Sequence, residues 1–166
     1  MRISDVMTYD PIRCFPDDTL NRAAQLLWEH DVGVLPVTNG LRRLVGIITD
    51  RDICMAAYTQ GRPLAEIQVS TVCSKHVISC RQDESLEAAE RLMRQYNIRR
   101  LAVVDRDETL TGVLSLSDLV RHLTLVGDGD GRSNGLDPVD ISLTLEAVSR
   151  PRNSHMELIG PERAAT

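Results

Sequence analysis

At 166 residues, with 42% apolar and 26% charged residues, the chain suits one ordinary soluble domain or two small halves sharing a core, and it leaves no room for a large catalytic domain besides. A net charge of −5 and a pI near 5.3 argue against a general nucleic-acid or anionic-membrane binder, which would carry a basic face. Trp28 and Phe15 are the only residues of their kinds, so Val, Leu, Ile, Ala and Met must build the core.

The opening Met1-Arg2-Ile3-Ser4-Asp5 starts no secretory signal, and no run approaches a membrane span, so the expected location is cytoplasmic. In that reducing setting the four cysteines, Cys14, Cys54, Cys73 and Cys80, read as buried thiols, and no metal site is expected. Along the chain, Ser4 can cap a short helical turn and Ile12 to Cys14 forms a brief strand. Asp17-Asp18-Thr19 then places capping oxygens before a helix, whose stripe is Leu20, Ala23, Ala24 and Leu27 and whose end falls near Asp31. Two strands follow, Val34 to Thr38 and Leu44 to Ile48, joined by the polar turn Asn39-Gly40. A second helix begins at about Asp50, and Gln60-Gly61-Arg62-Pro63 breaks the chain.

From there the sequence repeats itself. Shifted by 66 residues, it matches without gaps over about fifty positions, among them Val6/Val72, Cys14/Cys80, Leu20/Leu86, Val37/Val103, Gly46/Gly112 and Asp52/Asp118. The second unit therefore has Ser70 as a cap, a strand at Val77 to Cys80, and a helix opened by Asp83-Glu84-Ser85 that ends near Asn97. Strands at Leu101 to Val104 and Leu110 to Leu114 come next, with Asp105-Arg106-Asp107 between them, and a helix starts at about Leu116. The fold class is α/β (α+β), with two tandem β-α-β-β-α units over 1–62 and 63–125. The rest, 126–166, reads as a glycine-rich flexible linker, a short helix from Asp137-Pro138 through Val148, and a loose tail. The DxDG in the linker fails as a calcium loop, since Ser133 and Val139 stand at the sixth and twelfth positions.

Three stretches carry a resemblance to a known family: Asp5-Val6-Met7-Thr8, His30-Asp31-Val32-Gly33-Val34-Leu35-Pro36-Val37 and Gly46-Ile47-Ile48-Thr49-Asp50-Arg51-Asp52. In the second unit, Asn97 to Asp105 and Gly112 to Asp118 repeat the last two. Over roughly residues 2 to 125 the chain resembles a tandem CBS pair, or Bateman module, of the stand-alone bacterial type. The resemblance implies two repeats packed around a pseudo-twofold axis, with two clefts for adenosyl ligands. It implies a main cleft of Ser115, Ser117 and Asp118, with Thr8, Pro11, Val32 and Gly33 beside the base and Arg99 and Arg100 on the phosphates. A second cleft would use Thr49, Arg51, Asp52, Ser74, Val77 and Ile98. The chemistry suits such a ligand: a helix start offers hydroxyl and amide donors to phosphate, and the aspartate accepts hydrogen bonds from ribose hydroxyls.

Plainer readings stand beside these. Asp52 and Asp118 could be helix-start residues favoured by the dipole, Thr49 and Ser115 simple caps, and Arg99 and Arg100 solvated charges or ion pairs. The resemblance implies a regulatory function, a sensor of energy or stress state that binds AMP, ADP, ATP or NAD with no obligatory cofactor, and the chain carries no catalytic motif that would favour an enzyme. Its partners would be a second copy, in a homodimer, and a regulated protein of unknown identity. The competing classes are an adaptor pair without ligand affinity and an enzyme of weak nucleotide hydrolysis, for which His76 lies near the second cleft.

Overall fold

In the computed structural model, which describes residues 1–126 and 136–150, both units take the predicted order of helices and hairpins. The first contains β1 (Thr8–Tyr9), α1 (Leu20–Glu29), β2 (Val34–Thr38), β3 (Leu44–Thr49) and α2 (Asp50–Gln60). The second contains β4 (Ser79–Arg81), α3 (Leu86–Tyr96), β5 (Arg100–Val104), β6 (Leu110–Ser115) and α4 (Leu116–Val126), and α5 (Pro138–Ser149) follows. The glycine-rich stretch 127–135, which holds the DxDG, and the tail after 150 fall outside the described residues.

Local chemistry accounts for these boundaries. Thr19 and Ser85 accept the backbone N–H groups of Arg22 and Ala88, each at 3.2 Å, and so open α1 and α3. Left-handed backbone at Asp31 (φ 51°) and Asn97 (φ 52°), residue types that tolerate it, turns the chain out of the same two helices. In the hairpins, Asn39 Oδ1 accepts from the N–H groups of Leu41 and Arg43, and Asp105 Oδ1 accepts from those of Asp107 and Thr109. The opening turns differ from expectation. Each is a single 3-10 turn, Ile3–Asp5 and Val69–Thr71, with Ser4 and Ser70 inside it rather than at its cap. In the first, the Asp5 carboxylate accepts the Arg2 N–H at 3.0 Å and does the capping instead.

The strands form a four-stranded sheet in the order β1-β6-β5-β4 and a two-stranded sheet of β2 and β3. Isolated bridges reveal the symmetry. Thr8 pairs with Val113 and Ser74 with Ile47; Cys80 pairs with Val103 and Cys14 with Val37; Arg2 pairs with Ser85 and Gln68 with Thr19. Each couple maps onto the other by the 66-residue shift, and Arg43↔Thr109 maps onto itself, so the pseudo-twofold axis passes there. The strand expected at Ile12 to Cys14 is reduced to the Cys14 bridge, and its counterpart begins at Ser79 rather than Val77.

The two cores exchange their opening turns. Ile3 and Met7 of the first unit pack with Leu86, Met93 and Leu114 of the second, whereas Ile67 and Val69 pack with Leu20, Leu27 and Ile48 of the first. The Ile3 N–H donates to Glu84 O at 2.9 Å and the Val69 N–H to Asp18 O at 2.8 Å, a symmetric couple that locks the exchange. Neither unit has a core built from its own residues alone. Leu136, Ile141 and Val148 place α5 against the second core, over α3 and α4.

Candidate binding clefts

Because each opening segment crosses to the other unit, it meets the helix start there and leaves a cleft beside it. One cleft, of about 410 Å³, lies between Thr8, Pro11, Val32 and Gly33 of the first unit and Ser115 and Asp118 of the second. The other, of about 650 Å³, lies between Ser74, Val77 and Ile98 of the second unit and Thr49, Arg51 and Asp52 of the first. Both volumes suit a small organic ligand.

The aspartates sit in capping boxes. Asp52 Oδ2 accepts from the Thr49 N–H at 2.8 Å and the Thr49 hydroxyl at 2.7 Å, while the Asp52 N–H donates to Thr49 Oγ1 at 3.3 Å. Asp118 and Ser115 repeat the arrangement at 2.8, 2.6 and 3.2 Å. The plain structural role is therefore real at both sites, and it holds one oxygen of each cleft-lining carboxylate at the helix start. Here the repeats diverge. Asp118 Oδ1 accepts from the Arg121 guanidinium, and Asp118 is only 8% exposed. The equivalent of Arg121 is Met55, and among the described residues Asp52 Oδ1 accepts no side-chain hydrogen bond.

The arginine pair expected to serve the Asp118 cleft is divided. Arg100 borders both clefts and lies over Gly33, where an added Cβ would stand 2.9 Å from its Nη2. Arg99 lines only the Asp52 cleft, with its Nη2 donating to Val148 O at 3.3 Å. Successive side chains entering a strand point to opposite faces, which is why two neighbours part company. Ser117 is exposed on the first turn of α4 and does not line the Asp118 cleft.

Charge follows this division. The Asp118 cleft has two arginines, Arg100 and Arg121, against three carboxylates, Asp10, Asp31 and Asp118. The Asp52 cleft has four, Arg51, Arg99, Arg100 and Arg150, against Asp52 alone, and His76 also lines it. Of the residues missed by sequence reasoning, Arg121 was discoverable, one helical turn beyond Asp118. Arg150 was not, because only tertiary packing brings the end of α5 to this cleft. Of the four thiols expected to be buried, Cys14 and Cys80 are, Cys73 is half-buried and Cys54, on α2, is exposed; next to Ser74, burial pushes the Cys73 thiol up, which makes it a poor nucleophile. Among the described residues no group of three or more His, Cys, Asp or Glu side chains could hold a metal ion.

The family model for the CBS domain matches residues 3–58 and 69–125. The chain belongs to the CBS-domain family. This CBS pair is 40% identical over 118 residues to the CBS domain-containing protein YhcV of Bacillus subtilis (strain 168), covering 70% of this chain and 81% of that one. Among solved structures it resembles CBSX2 in complex with AMP, with a TM-score of 0.68 and 28% identity, covering 75% of this chain and 97% of the other. It also resembles the CBS pair of protein MJ0100 in complex with 5′-methylthioadenosine and S-adenosyl-L-methionine, with a TM-score of 0.67 and 26% identity, covering 75% and 96%. Where the CBS pair matches the inosine-5′-monophosphate dehydrogenase of Mycobacterium leprae, it spans 23% of that enzyme's length.

Proposed function

We propose that this CBS pair is a regulatory module that binds adenine nucleotides, of the AMP, ADP, ATP or NAD type, and reports cellular energy or stress state to a partner protein in the cytoplasm. One observation carries the reading: each cleft sets a Thr or Ser hydroxyl and an aspartate at a helix start, with arginine beside them. Hydroxyl, aspartate and guanidinium match the phosphate and ribose of such a ligand. Adenosyl compounds in the related CBSX2 and MJ0100 structures support it. In the Asp118 cleft the base would lie by Thr8, Pro11, Val32 and Gly33; in the Asp52 cleft, by Ser74, Val77 and Ile98.

The working unit of the proposal is a homodimer. In the second unit, α5 covers the outer face of α3, where Glu90 meets Thr144 and Arg94 pairs with Asp140 at 3.4 Å. The matching face of the first unit has Ala24 and Trp28 in those places, and no element among the described residues covers it: Trp28 is 88% and, on α2, Tyr58 82% exposed. Exposed aromatics of that kind, beside the polar row Arg22, Gln25 and Glu29, are suited to a second copy. Native mass spectrometry of freshly purified protein tests both parts, since a co-purified adenine nucleotide on a two-chain species is expected. A bare chain that takes up no added nucleotide would refute the module.

A further inference from the structure

We propose that α5 supplies a phosphate wall to the Asp52 cleft and thereby selects adenosyl ligands that carry two or more phosphates; the inference rests on the adenine-nucleotide reading above. α5 lies beyond the residues matched by the CBS-domain model, yet its last residues, Val148, Ser149 and Arg150, line this cleft and not the other. It is firmly held, because Ile141 and Val148 are buried in the second core and Glu90, only 2% exposed, meets the Thr144 hydroxyl. Its C-terminal end would by itself repel an anion, since the unpaired carbonyls there carry the negative pole of the helix. Arg99 changes that. By donating one N–H to Val148 O it covers a terminal carbonyl, and among the described residues its other N–H groups have no hydrogen-bond partner, which leaves them to meet a phosphate.

Arg150 adds a second cation at the cleft wall. Its present partner is Glu146, at 2.7 Å, in a pair exposed on both sides; such pairs are weak and yield readily to a phosphate. Arg51 and Arg100 complete a set of four arginines facing one carboxylate, in the larger of the two clefts. A monophosphate, with at most two negative charges, offsets only part of a four-arginine lining, whereas a chain of phosphates offsets more of it. In the Asp118 cleft three carboxylates oppose the same extension.

Calorimetric titration of the full chain with adenosine, AMP and ATP tests this. ATP should bind the wild type more tightly than AMP, and AMP more tightly than adenosine. Arg150→Ala and Arg99→Ala should each weaken ATP roughly tenfold and leave adenosine unchanged, with Arg150→Lys recovering most of the loss. Arg106→Ala, which removes an arginine far from both clefts, should change nothing. ATP affinity that is unaltered in Arg150→Ala and Arg99→Ala overturns the proposal, as does an equal loss of adenosine and ATP, which marks a purely structural role. A wild type that binds none of the three overturns the adenine-nucleotide reading itself, and this inference with it.

Discussion

At the scale of single residues, Asp52 and Asp118 each cap the start of a helix and line a cleft, so substituting them has two separable effects. Either change to Ala should lower stability by about 1 kcal/mol through the lost capping box, read from the urea midpoint. Asp118→Ala should cost more, because it also frees Arg121. Nucleotide affinity should follow the opposite order. Among the described residues Asp52 Oδ1 accepts no side-chain hydrogen bond, whereas Asp118 Oδ1 is already engaged by Arg121, so Asp52→Ala should weaken binding more in a calorimetric comparison. The sequence favoured the Asp118 cleft only because Arg99 and Arg100 are adjacent, and adjacency at a strand start sends side chains apart. The thiols make a separate prediction. Burial pushes Cys14 and Cys80 from an ordinary value of 9.0 up to about 12. The unfolded chain then loses these protons above about pH 9 while the folded protein keeps them, so stability is full below pH 9 and falls as pH rises, by up to roughly 1.4 kcal/mol per unit per thiol. Denaturation at pH 8 and pH 10 should show the fall, and Cys14→Ala with Cys80→Ala should flatten it.

At the scale of elements, the crossing of β1 onto β6 positions the Asp118 cleft, and it depends on a missing side chain. A Cβ at Gly112 would stand 2.5 Å from Met7 Sδ and 2.9 Å from the Thr8 carbonyl oxygen. The sulfur can move, but the backbone carbonyl cannot without breaking the Thr8↔Val113 pairing. Gly112→Ala should therefore destabilise by roughly 1–3 kcal/mol in thermal unfolding. Gly46→Ala, whose nearest backbone contact is Ser74 O at 3.2 Å, should cost less. The helices and both hairpins were legible in the sequence because caps, stripes and turn residues are local signals. β1 was not: it is two exposed residues whose partner lies in the other unit. Likewise Ile12 to Cys14 has the apolar content of a strand but only one bridge to Val37, since pairing, not composition, decides what becomes a strand.

At the scale of the whole molecule, the 66-residue repeat made two equivalent units legible, and the resemblance to a CBS pair implied the pseudo-twofold axis and two clefts. What the repeat could not reveal is where the symmetry fails, because α5 belongs to neither unit and only packing brings it to one cleft and one face. The uncovered face carries the dimer prediction. Trp28→Arg, which installs the residue found at the equivalent position of the covered face, should convert the assembly to single chains in sedimentation without loss of fold. The most direct test of the account as a whole is the melting temperature of the wild type with and without adenine nucleotides. A ligand held only by the folded clefts, at a hundredfold excess over its Kd, adds roughly 2.7 kcal/mol. The account predicts a clear upward shift with at least one of AMP, ADP, ATP and NAD, and a smaller one with guanine or pyrimidine nucleotides. An unchanged melting temperature across all four at millimolar concentration would contradict it.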